Sequence, residues 1–316
     1  MGLRLARERG LQVLPCLAAL QFHVRPLSSS SGSLPLQSAP RCRYSSEPWC
    51  LRAASAHACA CGRLLFHPKP RYATIRSGSQ QAAKLTRTID AQLQRSAKSE
   101  RGGATMTSTR TIEIACPRCH VTDSAEIWTS VNAREDPDAA QWLIDGFLFE
   151  HTCGSCGNVM MLNHDCLYHD PDRKVLVQLV AAPARMNEAK EALQPYVQRG
   201  YEARVVGSRY ALREKAAIVR DGLDDHAVEL LKFLVFNRFV GEGGLHSSAV
   251  AYYGARTEDG AIVIEFVGDG EPRETEVPAD LYASAAGQLE GLVLEDADPL
   301  CVDRAWAAHA YEAISA

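Results

Sequence analysis

No apolar run in this 316-residue chain approaches the roughly 18 residues that a membrane-spanning helix needs, so no membrane role is expected. The longest greasy stretch near the start, Leu11 to Leu20, follows Arg4, Arg7 and Arg9 and imitates a signal peptide. Pro15 interrupts it, and a clear small-residue cleavage site is missing after it. Nucleotide motifs are also missing. Gly241-Glu242-Gly243-Gly244 lacks the Gly-Lys-Ser/Thr ending of a P-loop, and no dinucleotide fingerprint follows. It reads as a hinge. Acids are scarce in residues 1–105, which hold 16 Lys+Arg against 4 Asp+Glu, a balance of +12. Bases are scarce beyond, with 18 Lys+Arg against 34 Asp+Glu, a balance of −16. The net charge of −4 hides this split. A phosphate-binding face needs clustered Lys and Arg, so nucleic acid is not an expected partner. The best candidate stripe is Arg199, Arg204, Arg209, Arg213, Lys215 and Arg220, which reads as a solvated face.

Residues 1–105 carry loop chemistry, with Ser28 to Ser31 in a row and Pro26, Pro35, Pro40, Pro48, Pro68 and Pro70. Rich in Arg, Ser and Ala, they have the look of an organelle transit peptide. The competing reading is an upstream start, with Met106 as the natural beginning before a strand at Thr111 to Ala115. That reading is favoured. Either way this composition cannot bury enough apolar surface to offset chain entropy, and disorder is expected. Its five cysteines, Cys16, Cys42, Cys50, Cys59 and Cys61, are scattered, and Cys59-Ala60-Cys61 has the wrong spacing for a metal turn.

What the chain does have is two matched pairs, Cys116-Pro117-Arg118-Cys119 and Cys153-Gly154-Ser155-Cys156. A C-x-x-C pair lets one tight turn aim two sulfurs at a single point, and two such turns can complete a tetrahedral S₄ shell around Zn²⁺. The first pair lies between strands Thr111–Ala115 and Ala125–Thr129. The second lies between Phe147–Phe149 and Val159–Leu162. Strand, turn, strand, twice over, is the arrangement of a zinc ribbon. Gly157 after the second pair and His120 after the first occupy positions that often need φ > 0, which both residue types tolerate. Between the pairs, Asp136 as N-cap and Pro137 at the first helical position start a short helix. A structural metal is favoured over redox dithiols, because a redox C-x-x-C usually opens a helix that lowers the thiol pKa. Plain core cysteines are a third reading. A disulfide would need an oxidising compartment, for which there is no support. His120, His151, His164, Cys166 and His169 lie nearby, but an S₄ shell requires none of them. Asp165-Cys166-Leu167-Tyr168-His169-Asp170 is a candidate second metal or catalytic site. Its plainer reading is a strand entering a turn at Pro171-Asp172.

These residues resemble the CpXC domain family, defined by two C-p-x-C motifs and found mostly in bacteria and archaea. The likeness extends past the cysteines to Trp128-Thr129-Ser130-Val131-Asn132, Asp136-Pro137, Ile144 to Phe149, and Leu167-Tyr168-His169-Asp170. It continues through Arg204-Val205-Val206, Leu212 to Lys215 and Gly222 to Asp225, and covers about 111–237. One departure is Gly154, where the family prefers Pro; the cysteine spacing is kept, so ligation should not change. The resemblance implies a domain without an assigned activity and supplies no catalytic residues.

Further on, Lys174 to Ala181 reads as a buried strand, Asn187 to Gln198 as a helix stopped by Gly200, and Tyr201 to Val206 as a strand. Ser208 and Asp224 cap two more helices. The second is apolar around most of its circumference and should be covered. Beyond Gly244, strands at Ala249–Ala255, Ala261–Val267 and Glu274–Val277 and a last helix opened by Asp298-Pro299 make a small α+β module over 245–316. The expected fold is α+β, with a four-Cys zinc ribbon over 106–240 built into a mixed β-sheet with flanking helices. The leading expectation is non-catalytic: a cytoplasmic module with structural Zn held by Cys116, Cys119, Cys153 and Cys156, binding a protein or a small ligand. One rival is a metal-dependent or acid/base enzyme using His164, Asp165, His169 and Asp170. The other is a thiol oxidoreductase.

Overall fold

A computed structural model of the protein describes residues 107–268 and 272–316, together with two short strands, β1 (Arg25–Pro26) and β2 (Ala73–Thr74). The expectations for the tail over 1–105, its scattered cysteines and Met106 lie outside the described residues. The remaining elements are β3 (Ser108–Ala115), β4 (Thr122–Asn132), α1 (Pro137–Asp145), β5 (Glu150–Thr152), β6 (Val159–Asn163), β7 (Cys166–Asp170) and β8 (Val175–Leu179). Then come α2 (Met186–Val197), β9 (Glu202–Val206), α3 (Arg209–Arg220), α4 (Asp225–Gly241), β10 (Val250–Arg256), β11 (Ile262–Val267), β12 (Arg273–Val277), α5 (Ala279–Leu289) and α6 (Arg304–Ser315). The fold is mixed α and β.

Its main sheet runs β3-β4-β7-β8-β9. The β3/β4 and β7/β8 pairs are antiparallel, and β4/β7 and β8/β9 are parallel. Every residue of β7 and β8 is buried, because both faces are covered. Side chains alternate across a strand, so each face has its own set. Leu167, Leu176, Ala203 and Val205 pack with Ala189 and Leu193 of α2 on one side. Cys166, Tyr168, Val175, Val177 and Leu179 join Leu212, Ala216, Val228, Leu231 and Val235 of α3 and α4 in the larger core.

The cysteine hairpins divide between sheets. The first, β3–β4, belongs to the mixed sheet, whereas β5–β6 forms a separate small sheet in which β2 also pairs with β6. The expectation of a whole ribbon within one sheet is corrected on this point. Phe147 to Phe149 is not a strand either. Helix α1 ends at Gly146 (φ +91°), and the Phe147 and Leu148 N–H groups both bond Trp142 O, so the turn uses donors a strand would need. Leu148 and Phe149 plug the core from this turn.

Asp136, Ser208 and Asp224 cap α1, α3 and α4 through their side chains, as expected. The segment beyond Gly244 shares the large core. Tyr253, Ile262, Ile264 and Phe266 pack in one cluster with α3 and α4, and Leu281 and Ala285 bring α5 into it. Helix α6 begins later than expected. Asp303, not Asp298, caps it by accepting from Ala305 N and Trp306 N. Leu300 is pinned first, its side chain buried under the sheet and its carbonyl accepting from Val205 N at 2.8 Å, so the chain cannot coil there.

Candidate metal centre

The two cysteine turns have the same hydrogen-bond pattern. Cys116 N–H donates to Val121 O (3.0 Å) and His120 N–H to Cys116 O (2.9 Å). In the second turn Cys153 N–H donates to Asn158 O (2.9 Å) and Gly157 N–H to Cys153 O (2.9 Å). Such a tight reversal needs one left-handed residue, and His120 (φ +60°) and Gly157 (φ +68°) supply it.

The turns face each other. Cys116 Sγ lies 3.7 Å from Cys156 Sγ, and Cys119 Sγ lies 3.8 Å from Cys153 Sγ. All four sulfurs lie within 4.8 Å of one another. A tetrahedron with metal–sulfur bonds of about 2.3 Å has S–S edges of about 3.8 Å, so the sulfurs are spaced as a four-thiolate shell requires. Cys116 and Cys153 are buried against Ile114, Ala125, Ile127, Met160 and Leu162, while Cys119 and Cys156 are half-buried. The Cys119 backbone N–H lowers the Cys116 thiol to about 6. The Asn158 N–H acts the same way on Cys156, but burial and the other three thiols outweigh it and push that thiol up to about 12. Four sulfurs this close cannot all ionise without a cation among them.

A carboxylate ties the turns together. Asp123, just past the first turn on β4, accepts from Gly154 N (2.8 Å) in the second turn and pairs with His151 Nε2 (3.1 Å). The Gly154 N–H, then His151, holds the Asp123 carboxyl below the usual range.

Residues 114–232 match the sequence model of the CpXC protein family. The chain carries a CpXC domain. No curated protein and no solved structure matches the chain.

The candidate second site of the CpXC domain does not assemble. His164 lies in the short link between β6 and β7, whereas His169 lies near the end of β7. His164 packs on Phe149 (5.0 Å between centroids), and His169 packs on Tyr201 (5.8 Å). Asp165 accepts from Ala181 N and pairs with Arg185, while Asp170 closes the next turn by accepting from Asp172 N and Arg173 N. Each of the four serves a separate contact. Burial lowers both histidines to about 4 and raises the Cys166 thiol to about 12, so these groups are neutral packing elements. His120 is exposed and His151 serves Asp123.

The basic stripe is not a solvated face throughout. Arg204 and Lys215 are buried, and both pair with Asp225 at 2.7 Å. Burial alone would raise the Asp225 pKa, but Lys215 and Arg204 hold it well below the usual carboxylate range. Glu202, Asp225 and His226 also converge closely enough to bind a cation, but the Arg204 guanidinium already sits on both carboxylates. A second buried group sits on α3 and α4, where Lys232 Nζ bonds Glu214 and Glu229, each at 2.7 Å. Sequence reasoning missed it. Its one signal was a Glu229/Lys232 pair three residues apart on a helix with no polar face.

Proposed function

We propose that Cys116, Cys119, Cys153 and Cys156 hold one structural Zn²⁺ in a zinc ribbon, and that the CpXC domain is a metal-stabilised binding module of a reducing compartment, the cytoplasm. Its partner is a protein or a small ligand. The observation that carries this reading is the spacing of the four sulfurs, with two edges at 3.7 and 3.8 Å between two matching turns. Thiolate sulfur is a soft donor that suits zinc, and a four-sulfur shell leaves no open coordination position for substrate, which marks a structural site. The separation of His164, Asp165, His169 and Asp170 weighs against an acid/base enzyme. Both cysteine turns lie between strands and neither opens a helix, which weighs against a dithiol oxidoreductase. No described helix is long and apolar enough to cross a membrane.

Metal analysis of the chain purified under reducing conditions should find about one zinc per chain, and Cys116→Ser with Cys153→Ser should abolish it. Reduced, folded protein without bound metal would defeat the proposal.

A further inference from the structure

The CpXC domain and the segment after it line a half-open cavity of about 360 Å³. It is walled by the end of β9, the start of α3, the middle of α4, the edge strand β10 and the start of α6. No residue of the cysteine turns lines it. Val205, Phe233, Phe236, Val250 and Tyr252 make its sides apolar, and Arg304 lies over the Phe236 ring at 4.2 Å. The volume is at the small end of ligand pockets, which run from about 300 to 1,000 Å³, and suits one or two rings.

Besides the exposed Asp303 and Arg304, four charged side chains line it, all of them buried: Glu214, Lys215, Glu229 and Lys232. Their charges are already matched. Lys232 bonds Glu214 and Glu229, Lys215 bonds Asp225 (2.7 Å), and Arg204 pairs with the same Asp225. Three buried cations thus face three buried carboxylates. A ligand with net charge would upset that balance in a low-dielectric site, where an uncompensated charge is costly. The hydrogen-bonding capacity is not exhausted, however. An ammonium has three donors. Lys215 uses one on Asp225, and Lys232 uses two. Glu229 receives Lys232 at Oε2, and no described residue donates to its Oε1. Spare donors therefore stand beside a spare acceptor.

We propose that this cavity binds an uncharged small molecule with an apolar ring body and one edge carrying an N–H donor next to a carbonyl acceptor, as in an amide or lactam. The N–H meets Glu229, the carbonyl meets Lys215 or Lys232, and the ring lies among Phe233, Phe236 and Tyr252. This names a ligand class for the binding module proposed above, and it uses the metal only as support for the fold.

Benzamide, benzoate and benzylamine are probes of one size and three charges. They should be titrated into the full zinc-loaded chain with saturation-transfer NMR, metal content being measured on each sample. Benzamide should bind and raise the melting temperature, with benzoate and benzylamine at least tenfold weaker. Ala251→Trp, which fills the cavity from β10, should abolish benzamide binding with zinc retained. Val250→Trp, at a half-exposed position on the rim, does the same job if the first variant fails to fold. The proposal is overturned if no probe binds the zinc-loaded chain, if a charged probe binds as tightly as benzamide, or if a folded blocked variant still binds it. Benzamide binding by folded, zinc-free protein would uphold the cavity and sink the metal reading.

Discussion

The cysteine turns and the helix-covered sheet solve the same problem by opposite means. The turns rest on a small cluster of buried residues, from Ile114 to Leu162, and gather four ionisable sulfurs at its edge. So few apolar groups cannot offset the entropy of fixing two hairpin tips, and like charges would drive the sulfurs apart. The sheet and its helices bury a far larger apolar set and still take seven charged side chains inside, each matched by an opposite charge. On the proposed reading, one region takes its counter-charge from a bound cation. The other carries its counter-charges in its own sequence.

Chelation should break this contrast most sharply. Structural zinc sites contribute about 10–16 kcal/mol, comparable to the whole stability of a typical domain. Metal removal, or the Cys116→Ser, Cys153→Ser pair, should release amide-exchange protection in β3–β6 first and leave β7–β9 protected longer. Equal, simultaneous loss in both regions would show that they are not separable. Next in size is Lys232→Met, which strands Glu214 and Glu229 without a cation. It should cost about 3–5 kcal/mol in urea unfolding and leave zinc content unchanged.

Acid tests the sheet through its histidines. Burial holds His164 and His169 near 4, below their unfolded value of about 6.5. The unfolded chain binds more protons between these values, so this stabilisation is complete above about pH 6.5 and fades as the pH falls toward 4. The ceiling is about 3 kcal/mol per histidine. His169→Phe removes a buried Nδ1 that has no partner and should flatten that pH slope at little cost near neutrality. The smallest effect belongs to Asp123→Ala. Losing the bond to Gly154 N should speed zinc extraction by a chelator, with affinity down about tenfold or more and the sheet untouched.

Local chemistry was readable in the chain, whereas long-range satisfaction was not. The Asp136, Ser208 and Asp224 caps and the left-handed residues His120 and Gly157 rest on contacts within a few positions, and the strands of the main sheet show as apolar runs within one segment, so their signals are correspondingly clear. Helix α5 escaped notice because Ala279 to Leu289 is rich in alanine and offers only a weak stripe, with Leu281 and Ala285 buried. Phe147 to Phe149 looked like a strand because three apolar residues cannot show whether their N–H groups go to a neighbour or back to Trp142. Lys215 and Arg204 looked solvated because their common partner, Asp225, lies 10 and 21 positions away. For the candidate site, spacing alone paired the cysteines, but it could not show that the histidines of β7 serve separate neighbours.

Gly154 stands in the second turn where Pro117 stands in the first, and proline has no N–H to give. The hydrogen bond that Asp123 draws from Gly154 exists only in chains without proline at position 154. An acid at position 123 and a residue with an N–H at position 154 therefore depend on each other. Sequences with proline there should be free to lose the acid, and lineages that keep the acid should keep its donor.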